Sequence, residues 1–292
     1  MDPLVSGEWL EKELGASDLR VIDCMVVMEV DGEGRRNYRP AAELWEQGHI
    51  PGSAPVDLVE ELSDPASPFP FMLPPADQFS AVMGELGVGD GIRVVLYDAA
   101  INAWASRMWW MLRAFGFDDA AVLDGGWRAW TGDGRPVSAD PAPQFAPTTF
   151  VARPRPGLFV GRDDVLLAID RPDACIVDAL PPAMYRGEQQ DYARPGHIPG
   201  AVNVPFGALV DPDTHRYLPE DRLRGTFSKV LAADPKRVIT YCGGAIAASS
   251  DAFVLHLLGV DDVVIYDGSL SEWTADPALP LESGPGRLEA GR

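Results

Sequence analysis

Arg237-Val-Ile-Thr-Tyr-Cys242-Gly-Gly-Ala-Ile-Ala-Ala-Ser249 is the stretch that decides the fold. Its first five residues are a β-branched and aromatic run that reads as a buried strand. The run ends on a cysteine, passes two glycines and leads toward the helical pattern Ser250–Leu258, which Gly259 closes as a C′ residue. A strand turning tightly into a helix is the building unit of a parallel sheet covered on both faces. Such sheets place ligands beyond the carboxyl ends of their strands. The position after Tyr241 is therefore the first place to look for chemistry.

Working outward, the same frame occurs twice. Arg20-Val-Ile-Asp-Cys24 is echoed by Cys175-Ile-Val-Asp-Ala179, and Gly48-His-Ile-Pro-Gly-Ser53 by Gly196-His-Ile-Pro-Gly-Ala201. Arg93-Val-Val-Leu-Tyr-Asp98 is echoed by Arg237-Val-Ile-Thr-Tyr-Cys242, and the segment Gly116–Gly125 by Gly259–Gly268. Four matches in one order mean one domain of roughly 140 residues, duplicated. Strands are expected at Arg93–Tyr97, Ala121–Leu123, Arg237–Tyr241 and Val263–Tyr266, and a helix at Met108–Phe115. The helix after Cys242 is expected to begin near Ser249. Proline repetition between the copies reads as an extended, semi-rigid spacer. The expected division is a first domain over 1–137, a Pro-rich linker over 138–157 and a second domain over 158–292. The tail from Glu282 to Arg292 reads as disordered.

Composition narrows the function. The 292 residues carry 24 Lys+Arg against 44 Asp+Glu, a net charge of −20. Such a field repels phosphate backbones, so nucleic acid is not an expected partner. It also opposes any anionic substrate. The first residues lack the basic and apolar regions of a signal peptide, and no apolar run is long enough for a membrane span. The three cysteines, Cys24, Cys175 and Cys242, have neither disulfide-framework nor zinc-ligand spacing, so no metal is expected and the cytoplasm is the expected compartment.

At the strand-to-helix turn the copies differ: Asp98 stands in the first and Cys242 in the second. Small residues let the backbone curl around the Cys242 sulfur. A helix N-terminus then directs free N–H groups and a positive dipole end at it. Both effects favour the thiolate, which is a nucleophile. Gly243, Gly244, Ala245, Ile246, Ala247 and Ala248 are the expected cradle for this sulfur and for a persulfide on it. Cys24 and Cys175 lie in or beside strands without such a loop and read as buried core. His49 and His197 sit in the GHIPG turns of both copies, so they read as structural. The Trp-rich stretch from Trp104 to Trp130 reads as core.

With GHIPG in each copy, Asp98 and Cys242 at the paired loops, and the endings DGGWRAW and DGSLSEW, the chain resembles the tandem rhodanese sulfurtransferases over nearly its whole length. The resemblance implies an α/β fold of two rhodanese-like domains, each a five-stranded parallel sheet flanked by helices. It implies a silent first domain and a catalytic second one. Sulfane sulfur would pass from a small-molecule donor such as thiosulfate to cyanide or a thiol acceptor through a Cys242 persulfide, with no cofactor. It also implies substrate-binding roles. Arg194 matches an arginine that precedes the second GHIPG, and Arg186 lies near the place of another. Asp57 matches a carboxylate that orients such an arginine or merely caps a helix.

Departures from the family pattern are equally specific. Gly243-Gly244-Ala245-Ile246-Ala247 has neither the two charged residues of thiosulfate enzymes nor the hydroxyls of the mercaptopyruvate loop Gly-Ser-Gly-Val-Thr. Met184 stands where the family has an arginine six residues past the strand aspartate. Phe71 stands where mercaptopyruvate enzymes have a histidine before Met-Leu-Pro. Thiosulfate is the leading donor, with 3-mercaptopyruvate the alternative, because a missing His and missing hydroxyls weaken the second more. A reading of another class is a non-catalytic binding or regulatory module. A Cys-x5-Arg phosphatase needs an oxyanion-holding arginine at position 248, which is Ala248.

Overall fold

The computed structural model describes residues 1–32 and 36–286. They form two compact units, each built on a five-stranded parallel sheet. In the first, the strand order is Leu4–Val5, Ala120–Leu123, Arg93–Tyr97, Leu19–Asp23, Ser53–Pro55. In the second it is Phe159–Val160, Val263–Tyr266, Arg237–Tyr241, Ala174–Asp178, Val202–Asn203, the same order strand for strand. The copies therefore share a topology as well as motifs. Arg93–Tyr97 and Arg237–Tyr241 are central strands. From their second residue on they are buried on both faces, which is why they read as continuous apolar runs rather than alternating ones.

Helices cover the sheets. Ala103–Ala114 buries all but one of its twelve residues, including Trp104, Trp109 and Trp110. Trp130 belongs to the same unit's core and Trp127 packs against it half-buried. The tryptophan-rich stretch is thus packing material, as its spacing indicated. Ile246–Leu257 holds the matching place in the second unit. Both GHIPG turns are wired alike. The His49 ring stacks on Trp45 and donates to its carbonyl at 2.9 Å, while His197 stacks on Tyr185 and donates to its carbonyl at 2.7 Å. The Ile50 and Ile198 N–H groups donate to the Tyr97 and Tyr241 hydroxyls at the ends of the central strands. Both histidines are fixed by these bonds inside the fold.

The first unit comprises 1–66, 73–155 and 212–217, and the second 67–72, 156–211 and 218 onward. Each unit thus takes one six-residue segment from the other copy's stretch of sequence. The Pro-rich segment is extended, but it is stapled to the first unit rather than free. Ser138 exchanges backbone bonds with His49, Thr148 N–H donates to Gly84, and Arg153 and Arg155 N–H donate to Phe115 and Ala114. These donors come from non-proline residues of the segment, and the first unit's stretch ends at Arg155. Lastly, Glu282 exchanges backbone bonds with His197, so the ordered chain runs past the expected start of the tail. Residues 287–292 lie outside the described residues.

Candidate active site

Cys242 follows the central strand of the second sheet, and Ile246–Leu257 starts four residues later. The helix begins three residues before the expected Ser249. Ala245, at φ 61°, turns the chain into it from the left-handed region. Ser249 does not cap the helix. Its hydroxyl donates back to the Ala245 carbonyl at 2.6 Å, a bond made inside the first turns.

The Cys242 side chain is almost fully buried. Burial pushes its thiol pKa up, while the backbone N–H groups of Ala248, Gly244, Gly243 and Ala247 pull it down. The net direction is upward, contrary to the expected depression. A cradle of neutral dipoles offsets only part of the desolvation when no cation stands beside the sulfur. Of the six expected cradle residues, Gly243, Gly244, Ala247 and Ala248 carry the N–H groups that pull the thiol pKa down. Ala245 N–H goes elsewhere, to the Ser269 hydroxyl at 3.1 Å, and Ile246 opens the helix.

The loop is held from behind by the DGSLSEW segment, whose role the sequence reading missed. Ser269 Oγ accepts from Cys242 N–H at 3.2 Å and donates to the Tyr266 carbonyl at 2.9 Å. Leu270 N–H donates to the Cys242 carbonyl, and Ser271 donates to the Gly243 carbonyl through both its N–H and its hydroxyl. The contrast between DGG in one copy and DGS in the other was the available signal. Two aromatic residues wall the glycines within this unit. A Cβ on Gly243 would run into the Tyr192 hydroxyl, and one on Gly244 would lie 3.3 Å from the Phe71 ring. Phe71 belongs here because segment 67–72 packs into the second unit, and it adopts φ 61° to do so. On the Phe71 side the wall is thus apolar, where the sequence lacks a histidine, while Tyr192 brings a hydroxyl on the Gly243 side.

In the first unit the matching loop carries Asp98, fully buried. Its carboxylate accepts N–H groups from Ala100 at 2.7 Å, Asn102 at 3.0 Å and Ala105 at 2.8 Å. Here the loop folds around a carboxylate that is part of the chain, and no thiol is present. Cys24 and Cys175 are free and buried. Burial raises the first thiol well above its ordinary value and the second to about 11, so both are inert core.

The expected anion holders are placed as follows. Arg194 donates to four backbone carbonyls, those of Thr274, Leu279, Trp273 and Asp276, at 2.6–3.1 Å. These bonds clamp the loop after helix Ser269–Trp273. Arg186 pairs with Glu188 at 2.7 and 2.9 Å. Asp57 accepts from Val59 and Glu60 N–H groups at 2.8 and 2.9 Å and closes a turn there, the next helix starting only at Ala76. Met184, at the lost arginine position, is buried. No group of His, Cys, Asp and Glu among the described residues could hold a metal ion.

Comparison with known proteins agrees with this fold. The rhodanese-like domain family matches residues 6–133 and again 162–276. The 3-mercaptopyruvate sulfurtransferase of Homo sapiens is 34% identical, the alignment covering 97% of this chain and 96% of that one. The thiosulfate sulfurtransferase of Gallus gallus is 33% identical over 92% of each. The crystal structure of SseA from Escherichia coli, a 3-mercaptopyruvate sulfotransferase, superposes with a TM-score of 0.81 at 33% identity, covering 92% of this chain and 99% of that one. Its duplicated sheets, its paired loops and these similarities make the chain a member of the rhodanese family, with two rhodanese-like domains and relatives that are sulfurtransferases.

Proposed function

We propose that the protein is a sulfurtransferase that carries a sulfane sulfur on Cys242 as a persulfide. The observation that supports this most directly is a buried free cysteine at the carboxyl end of the central strand, in the turn that leads into helix Ile246–Leu257. The Cys242 thiolate attacks the outer sulfur of the donor. The donor's bond to that sulfur breaks, and the leaving group departs with the electron pair, as sulfite if the donor is thiosulfate. Cyanide or an acceptor thiolate then attacks the terminal sulfur and releases the Cys242 thiolate. The N–H cradle holds negative charge first on Sγ and then on the terminal sulfur, and it needs no reorganisation during the reaction. Burial and the Phe71 and Tyr192 walls limit water at the persulfide.

Thiosulfate is the leading donor, since Phe71 and the hydroxyl-free loop lack the proton-handling groups of the mercaptopyruvate enzymes. The human relative's name favours 3-mercaptopyruvate as the second reading. Arg186 is the expected anion holder that a donor can recruit, because an exposed pair such as its contact with Glu188 is worth only about 0–1 kcal/mol. Three free thiols support the cytoplasm as the compartment. Initial rates of thiocyanate formation with each donor test the reading. Wild type is expected to turn over at least one donor, and Cys242→Ser to lose about three orders of magnitude or more. An active Cys242→Ser enzyme contradicts it. A wild type idle with both donors moves the binding-module reading ahead.

A further inference from the structure

Ser269 is fully buried and adopts φ 48°, a left-handed conformation that side-chain-bearing residues avoid. The matching residue of the first copy is Gly126, at φ 51°. There a Cβ would strike the Asp98 carbonyl, so glycine is obligatory. The backbones differ one residue earlier, at Gly125 with φ 78° against Gly268 with φ −66°, and this leaves room for the Ser269 Cβ. The next residue, Trp127 or Leu270, donates its N–H to the carbonyl of Asp98 or Cys242. What the second copy adds is a hydroxyl, at the expense of backbone strain.

That hydroxyl is fully used. It accepts from Cys242 N–H at 3.2 Å and Ala245 N–H at 3.1 Å, and it donates to the Tyr266 carbonyl at 2.9 Å. In the first copy the loop is anchored by its own Asp98 carboxylate, which takes three N–H groups. A cysteine has one sulfur and cannot both anchor the loop and be free to react. We infer that Ser269 is a positioning residue for sulfur transfer: its hydroxyl takes up the Cys242 and Ala245 N–H groups and so fixes the turn that surrounds the sulfur. This rests on the sulfurtransferase reading and adds to it the residue that makes the second loop differ from the silent one.

Two variants test it. Ser269→Gly keeps the conformation that Gly126 shows glycine to hold, and it removes the strain; Ser269→Ala keeps the Cβ. The first readout is the pH dependence of Cys242 alkylation by iodoacetamide, followed by intact mass, which needs no sulfur donor. In both variants the midpoint is expected to move up by about 1 pH unit as the N–H groups lose their aim. Donor turnover near neutral pH is expected to fall about 10-fold or more in kcat, with KM within about 2-fold. The melting temperature of Ser269→Gly is expected to stay at or above that of wild type. Alkylation profiles superimposable on wild type in both variants overturn the inference, as does a loss of turnover that only follows a lowered melting temperature. If wild type accepts sulfur from neither donor, the sulfurtransferase reading falls separately, and the alkylation profiles still decide whether Ser269 positions the thiol.

Discussion

Asp251 is fully buried on the helix that lends its N–H groups to Cys242, and neither carboxyl oxygen has a hydrogen-bond partner. Its counterpart in the first copy is Met108, also buried. Burial raises the Asp251 pKa well above its ordinary value, and the nearby Asp178 raises it further. Asp178 itself is pushed to about 6, mainly by burial, and Asp23 in the other copy to about 7. A carboxyl whose folded pKa lies above its unfolded value favours the fold fully below about pH 4, and that contribution is lost as pH rises through the folded pKa. Stability is therefore expected to fall between pH 4 and 8. Asp251→Asn is expected to flatten that fall and to gain about 1–3 kcal/mol over wild type at pH 8. A melting series across pH checks this, and parallel curves for the two proteins would contradict it. Nothing in the local sequence SSDAF marks Asp251 as buried, because a carboxylate on a helix usually faces water.

At the scale of elements, much of the fold was legible. Arg93–Tyr97, Arg237–Tyr241 and Val263–Tyr266 form strands over the residues their β-branched runs marked, because strands buried on both faces announce themselves by composition. The strands Leu4–Val5, Phe159–Val160 and Val202–Asn203 have two residues each, too few for any periodicity. The antiparallel pair Val26–Val30 and Arg36–Pro40 also went unread, since its outer residues Met28 and Val30 are exposed and follow no core pattern. In the site, the nucleophile and most of its cradle could be read from one loop. Ser269 and Tyr192 could not, because the fold brings them from segments distant in the chain. The early helix start follows from Ala245 and is testable there. Ala245→Gly is expected to be neutral or to gain up to about 1 kcal/mol, since glycine holds φ 61° without a Cβ penalty. Ala245→Val is expected to lose about 2 kcal/mol or more, because a branched side chain resists that region. Denaturant unfolding of both variants measures this, and an equal loss in both would show that the turn does not depend on the left-handed residue.

For the whole molecule, duplication left two units with one strand order and different loop occupants, a carboxylate in one and a thiol in the other. The net charge of −20 acts on both. A dianionic donor must approach against that field, and salt screens it over about 10 Å at 0.1 M. For thiosulfate, kcat/KM is expected to rise several-fold between about 20 and 200 mM salt, and less for singly charged 3-mercaptopyruvate. A fall with salt would mean that a local cationic site governs capture instead.

The central claim is that Cys242 carries the sulfur, and intact-mass spectrometry tests it most directly. The protein is incubated with thiosulfate or with 3-mercaptopyruvate, mapped by peptide, and then treated with cyanide. The account predicts a gain of one sulfur atom, about 32 Da, on Cys242 and its removal by cyanide. A sulfur adduct on Cys24 or Cys175 instead, or no adduct from either donor, would contradict it.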